Sequence, residues 1–263
     1  GFDPTESWEF PAGTVFVKHF ELELRPGDPT SRRRLETRAL ILEIDGWRGY
    51  TWRWNEAQSD AFLLPGAYSE VFEVEDAGAP GGSREQRWDY PSRSDCLRCH
   101  TAAAGVVLGA RTLQWNRERD FPLARDNQLR TFDRIGLFDR DLQALGPFDA
   151  MADPRDETRT LADRARAYLD ANCAFCHQPG GPAPGGVDLR YLTPDAATHL
   201  LDERPSEGDL GIGDAWRVRP GAKEQSVLWE RLRVRGDGQM PPLGTTEVDP
   251  EAVDLLGTWI DGL

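Results

Sequence analysis

The stretch 161–177 has the sequence LADRARAYLDANCAFCH, in which a mixed polar and apolar segment runs into two cysteines and a histidine. Leu161, Ala165 and Leu169 recur every four residues, as on one face of an α-helix. The segment GGPAPGG at 180–186 contains too much glycine and proline to be helical. The sequence therefore predicts a helix that ends at a Cys-x-x-Cys-His motif and is followed by an irregular loop.

The same motif occurs once more, within SDCLRCH at 94–100. The two motifs contain all four cysteines of the chain and two of its four histidines: Cys96, Cys99 and His100 in the first, and Cys173, Cys176 and His177 in the second. Cys-x-x-Cys-His is the attachment signature of c-type haem, in which both thiols form thioethers and the adjacent imidazole binds the iron. We therefore expect two covalently attached haem c groups, with His100 and His177 as iron ligands.

Two other interpretations of the motifs are weaker. A redox-active pair of cysteines does not require a histidine directly after it. Zinc binds cysteine and histidine, but each motif would supply three ligands, and only His19 and His199 remain elsewhere as imidazole donors.

Charge and hydropathy limit the partners. The chain has 263 residues and a net charge of −14, which disfavours nucleic acid and suits a redox partner protein with a basic docking face. No apolar run approaches the roughly 20 residues of a transmembrane segment. Because haem c is attached outside the cytoplasmic membrane, we expect a periplasmic or otherwise exported protein whose signal peptide has been removed.

Downstream of the second motif, RGDGQMPPLG at 235–244 places Met240 in an irregular loop, and a closing helix is predicted from the N-cap Asp249 and from Pro250. Helix, haem motif, methionine loop and closing helix together resemble a class I cytochrome c domain. The resemblance implies that the two end helices pack and that Met240 binds the second iron opposite His177. It also implies that the carbonyl of Pro182 or Pro184 orients His177.

The residues before Cys96 predict strands. GTVFVKHFELEL at 13–24 alternates, which places Lys18 on one face with Phe16 and Phe20. ETRALILEIDGWRGYTWRW at 36–54 predicts a hairpin that turns at Asp45–Gly46. YSEVFEVE and SREQRWDY predict two further strands. We expect one antiparallel sheet over residues 8–92 whose last strand leads to Cys96.

FPAGTVFVKHF at 10–20, with a haem motif at the end of a β-domain, resembles the cytochromes c′-beta and their lysine–haem cross-linked relatives that oxidise hydroxylamine. That resemblance implies an iron with an open or lightly covered face that binds small ligands such as nitric oxide. For the far side of the first iron the alternatives are an open position, Met151, His19, Lys18 or His199.

Over residues 7–260 the chain resembles a bacterial family of dihaem c-type cytochromes, on motifs such as WEFPAGTVFVKHF, WRWNEAQSDA, CLRCH, LGARTLQWNR and NCAFCH. The resemblance implies electron transfer in the periplasm. We expect an α+β protein with a β-rich haem domain at 1–145 that ends in short helices, a linker at 146–158 and an all-α class I cytochrome c domain at 159–263. The alternative to an electron carrier is a haem oxidoreductase or small-ligand binder that uses an open first haem with hydroxylamine, nitric oxide or peroxide.

The duplication of the motif makes a prediction about attachment. Because each motif carries its own pair of thiols and its own histidine, the double substitution Cys96→Ala/Cys99→Ala should remove one haem and leave the other. Intact-mass measurement of the holoprotein should show the loss of one haem mass. Loss of both haems would show that the two sites are not independent.

Overall fold

The computed structural model describes all residues from Gly1 to Leu263. Its strands and helices, in chain order, are β1 (Val15–Glu23), β2 (Arg32–Glu43), β3 (Gly46–Trp54), β4 (Ala61–Leu63), β5 (Tyr68–Glu75), β6 (Ser83–Tyr90), α1 (Arg93–Cys96), α2 (Thr112–Trp115), β7 (Glu118–Asp120), β8 (Arg125–Asn127), α3 (Gln128–Arg134), α4 (Leu161–Asn172), α5 (Val227–Arg233) and α6 (Pro250–Asp261). Antiparallel sheets precede most of the helices, and the predicted α+β class is confirmed.

The chain forms two compact units. Residues Phe10–Arg98 form one, here called the sheet unit, and residues Gly1–Glu9 with Cys99–Leu263 form the other, the helical unit. The boundary falls inside the first motif, between Arg98 and Cys99. Residues 99–145 thus group with the C-terminal residues, whereas the sequence interpretation joined them to the β-rich domain. Whether residues 159–263 fold as a domain of their own stays a prediction.

The sheet unit contains two sheets where one was predicted over residues 8–92. Strands β1 to β4 form an antiparallel sheet in the order β1-β2-β3-β4, and β5 pairs only with β6. Pro65 and Gly66 lie between β4 and β5. Because proline lacks a backbone N–H and glycine weakens a strand, the chain leaves the first sheet at this point.

The β2–β3 turn lies one residue earlier than predicted. Glu43 pairs with Gly46, so that Ile44 and Asp45 form the two-residue loop. Gly46 is the first residue of β3 and has φ of +126°, a conformation that L side chains rarely adopt. Gly46 therefore helps to form the turn although it is the first residue of the strand.

The strand register assigns the side chains of the first sheet to its two faces. Lys18 pairs with Arg38, and Phe20 pairs with Glu36. Directly paired residues share a face, so these four side chains lie on one face, as predicted for Lys18 and Phe20. His19 is adjacent to Lys18 in β1 and lies on the opposite face.

The helical unit is built around α4, α5 and α6. Helix α6 contacts both α4 and α5. The predicted caps are confirmed, because the Asp249 side chain accepts a hydrogen bond from the Ala252 N–H and Pro250 is the first helical residue. The core of this unit consists of Ala165, Leu169, Ala174, Leu189, Leu200, Val218, Leu232, Leu256, Trp259 and Ile260. The apolar face predicted for α4 lies in this core through Ala165 and Leu169, and Leu161 packs against it.

The segment after the first motif folds with the first residues of the chain. The Trp8 N–H donates to the Ala110 carbonyl, and its indole N–H donates to the Thr112 hydroxyl at 3.0 Å. The short helices predicted at the end of the β-rich domain are present as α2 and α3. The hairpin of β7 and β8, which joins them, was not predicted.

An ion pair between the two sheets of the sheet unit makes a prediction about acid stability. The Glu70 carboxylate accepts hydrogen bonds from Arg53 in β3 and from the Tyr90 hydroxyl in β6. The Arg53 guanidinium lowers the pKa of Glu70. Since the folded pKa is lower than the unfolded one, the pair stabilises the fold above the unfolded pKa of about 4.3, and this contribution is lost as pH falls through the folded pKa.

We expect Glu70→Gln to lower the free energy of unfolding at neutral pH by about 1 kcal/mol. Chemical denaturation between neutral pH and about pH 3 should show the difference from wild type shrinking as the pH falls. The matched control is Glu73→Gln on the same strand, where the carboxylate accepts only from the Ser83 hydroxyl. If Glu70→Gln lowered the free energy of unfolding by the same amount at every pH, the lowered pKa assigned to Glu70 would be contradicted.

Candidate haem sites

The second motif follows directly from the end of α4. Cys173 is the C-cap of the helix, and its carbonyl accepts from the N–H groups of both Cys176 and His177, at 3.0 and 2.9 Å. The motif is therefore one compact turn. Cys173 packs against the core, and burial raises the pKa of its thiol to about 12.

The His177 ring is largely enclosed. Its Nδ1 atom is buried and has no hydrogen-bond partner, so neither Pro182 nor Pro184 supplies the carbonyl that the class I resemblance implied. The loop takes a different path, in which the Ala183 N–H donates to the Cys176 carbonyl. Burial lowers the pKa of His177, and the charges of Arg217 and Arg231 lower it further. These effects favour the neutral imidazole, which is the form that binds a metal.

The loop that carries Met240 is held by α5. The Met240 N–H donates to the Arg231 carbonyl at 3.0 Å. The Arg231 guanidinium donates to the Gly238 carbonyl at 2.9 Å and to the Glu207 carbonyl at 2.6 Å. Arg231 therefore fixes the methionine loop and also acts electrostatically on His177. Ligation by Met240 itself stays a prediction.

The loop is also braced from within. The Gln239 amide group donates to the Pro241 carbonyl at 2.9 Å and to the Thr245 carbonyl at 3.2 Å, while its oxygen accepts from the Gly236 N–H. Sequence reasoning singled out Met240 but missed Gln239 and Arg231. A sequence does not mark these two residues as structural, because glutamine and arginine are common on protein surfaces and their role here depends on the path of the loop.

In the first motif, Cys96 ends α1 and packs closely on β3. Helix α1 begins at a capping box in which Ser92 and Asp95 bond reciprocally. A Cβ atom at position 49 would lie 2.8 Å from the Cys96 sulfur, so Gly49 permits this approach. Burial raises the pKa of the Cys96 thiol.

His100 lies in the helical unit with its ring oriented by the backbone. Its Nδ1 atom is 2.6 Å from the Val106 carbonyl oxygen. With the proton on Nδ1, the lone pair is on Nε2. A metal-binding histidine usually donates its other ring N–H to a carbonyl in this way. Val106 has φ of +60°, an unfavourable conformation for a β-branched residue and one that concentrates at functional sites. Sequence reasoning missed Val106, because nothing in a single sequence marks a strained valine.

A buried charged cluster lies on the same side of the sheet unit as Cys96. Glu36 is fully buried, and its carboxylate accepts two hydrogen bonds from Arg38, at 2.5 and 2.8 Å, and one from the Trp88 indole at 3.2 Å. Arg38 and Glu36 both act electrostatically on the Cys96 thiol. The sequence did not single out Glu36. Strand β2 has buried side chains on both faces, so the alternation of polar and apolar residues does not show which polar position is buried.

The candidates for the far side of the first iron are spread over both units. In the sheet unit Lys18 is exposed with its Nζ 4.9 Å from the Phe20 ring, whereas the Nδ1 of His19 is 2.8 Å from the Thr37 hydroxyl on the other face. In the helical unit the Met151 N–H donates to the Leu113 carbonyl. His199 is exposed and pairs with Glu203. The choice among them stays open.

The surroundings of the cysteines can be compared with what a zinc site or a redox-active cysteine pair would require. No three side chains of the His, Cys, Asp or Glu type are gathered to hold a bare metal ion, as zinc would require. A redox-active cysteine has a lowered pKa, whereas the pKa values of Cys96 and Cys173 are raised. Neither interpretation gains support from the site.

Comparison of the chain with protein-family models, with curated proteins and with solved structures gave no match. None of its helices has the length and apolar character needed to span a bilayer. The resemblances to cytochromes therefore rest on the motifs themselves.

The contacts of Arg231 predict how the methionine loop responds to substitution. In Arg231→Gln the shorter side chain cannot reach both the Gly238 and Glu207 carbonyls, so the loop should open more often. We expect faster amide hydrogen exchange over residues 236–244, corresponding to a loss of about 1–3 kcal/mol in local stability. The control is Arg233→Gln on the same helix, whose guanidinium binds Glu230 and covers the Trp229 ring. Equal exchange in both variants would show that Arg231 does not hold the loop.

Proposed function

We propose that this protein is a dihaem c-type cytochrome that transfers electrons on the outer side of the cytoplasmic membrane. The observation that carries the proposal is the presence of all four cysteines in two Cys-x-x-Cys-His motifs. The site residues fit the group. Both histidine rings present a nitrogen suited to iron, and burial favours neutral sulfur over a thiolate at Cys96 and Cys173.

For the second site we propose a class I cytochrome c arrangement. Two observations support this. Helix α4, which leads to the motif, packs against the C-terminal helix α6. The methionine loop lies between α5 and α6 in the sequence and is bonded to α5. His177 and Met240 would be the two axial ligands. A thioether opposite an imidazole raises the reduction potential of a bound haem. Arg217 and Arg231 would add to this effect, because positive charge favours the reduced state of the iron.

For the first site we propose His100 as the proximal ligand. The Val106 carbonyl would orient its ring and increase its basicity through the Nδ1 hydrogen bond. Cys96 and Cys99 would attach the group covalently. Partner proteins that deliver or accept electrons would present a basic face to the net negative charge of the chain.

A second function, a haem enzyme or small-ligand binder, is favoured by one observation. Glu36 is a fully buried carboxylate on the Cys96 side of the sheet, with Arg38 bound to it and Lys18 on the same face. Buried polar groups of this kind are costly to maintain and concentrate at functional sites. An open first iron would bind hydroxylamine, nitric oxide or peroxide.

The deciding experiment is the optical spectrum of the reduced holoprotein before and after addition of carbon monoxide, with Met240→Ala measured in parallel. Met240→Ala should open the second iron and give a carbon monoxide shift that serves as an internal standard for one open haem. We expect no shift in the wild-type protein, because electron carriers keep both axial positions filled.

Two outcomes would overturn parts of the proposal. A shift of one haem in the wild-type protein would favour the enzyme or ligand-binding function at the first site. A Met240→Ala spectrum identical to that of wild type, with and without carbon monoxide, would show that Met240 is not an axial ligand and that the class I assignment is wrong.

A further inference from the structure

The turns that follow the two motifs lie side by side in the helical unit. Ala103 comes three residues after His100, and Gly180 comes three residues after His177. A Cβ atom at position 180 would lie 3.8 Å from the Cβ of Ala103. Gly180 has φ of +74°, which favours glycine at this position, and glycine places no side chain between the two turns.

A buried carboxylate joins the same two parts of the chain. Asp170 lies in α4, three residues before Cys173, and its side chain is fully buried. It accepts hydrogen bonds from Arg111, from the Gln114 amide at 3.1 Å and from the Tyr191 N–H at 2.9 Å. Arg111 and Gln114 belong to the segment that follows the first motif. These residues are called the Asp170 cluster below.

The first-motif side of the cluster is itself fixed. The Arg111 N–H donates to the Gly109 carbonyl, and Arg111 forms a β-bridge with Ser7. A buried carboxylate that loses its guanidinium is left as an uncompensated charge, which is strongly unfavourable. The Asp170 cluster therefore favours the arrangement in which α4 stays packed against the segment that follows the first motif.

We propose that the Asp170 cluster and the approach of Ala103 to Gly180 position the two haem-binding segments for direct electron exchange within one chain. The inference rests on the proposed function. With both haems bound, one electron would pass from the reduced iron to the oxidised iron, and no bond or proton would be transferred. Redox partner proteins supply and remove the electron. Arg111 and Asp170 act as positioning residues.

The test measures intramolecular electron transfer in the holoprotein after rapid photoreduction of one haem. Arg111→Gln removes the charge that compensates Asp170, and Arg111→Lys retains it. Ala103→Leu adds a larger side chain where the two turns approach and leaves the buried ion pair unchanged, so it tests the proposal even where Arg111→Gln does not fold. Arg190→Gln is the control, because Arg190 binds the nearly buried Asp188 in the same unit without joining the two motifs.

We expect transfer several-fold slower than wild type in Arg111→Gln and Ala103→Leu, with partial recovery in Arg111→Lys and the wild-type rate in Arg190→Gln. The two midpoint potentials of Ala103→Leu, measured on the same sample, should stay near their wild-type values, since that substitution changes no charge. Wild-type rates in Ala103→Leu and Arg111→Gln would overturn the inference, and so would equal slowing in Arg190→Gln. A protein that carries fewer than two haems before any substitution would instead overturn the proposed function.

Discussion

The helical unit depends on the pairing of one buried carboxylate. Asp170 is fully buried, and a carboxylate in that position is tolerated only when its charge and its lone pairs are satisfied. Arg111, Gln114 and the Tyr191 N–H satisfy them. Because two of these partners come from the segment after the first motif, that segment packs with the C-terminal helices. The pairing thus joins the segment after the first motif to α4 within the helical unit.

A similar arrangement occurs in the sheet unit on an unrelated scaffold. Glu36 is fully buried and held by Arg38, and both act on the Cys96 thiol, while Asp170 acts on the Cys173 thiol. The first cysteine of each motif therefore lies near a buried carboxylate that an arginine compensates. A strand supplies the carboxylate in one case and a helix in the other. The two sites share this electrostatic environment although their folds differ.

The two sites differ in how their histidines are held. The His100 ring is oriented by the carbonyl of a strained valine, whereas the Nδ1 of His177 is buried without a partner. A backbone carbonyl therefore orients the first ring, whereas the second ring is buried beside the positive charges of Arg217 and Arg231. If both bind haem, the imidazole at the first site would be the more electron-donating ligand, because a hydrogen bond at Nδ1 increases its basicity. The second site would then have the higher potential.

The sequence alone determined the local features: both motifs, α4 and α6 with the Asp249 cap, the strands of the hairpin, and the α+β class. These follow from periodicity, capping and turn chemistry, which act between residues close in the chain. Only the tertiary structure decided the division of the chain into two units, the separate β5–β6 sheet and the partners of Asp170, Glu36 and Arg231. Such contacts join residues far apart in the chain, and their energy comes from burial of charge and polar groups, which no local pattern records.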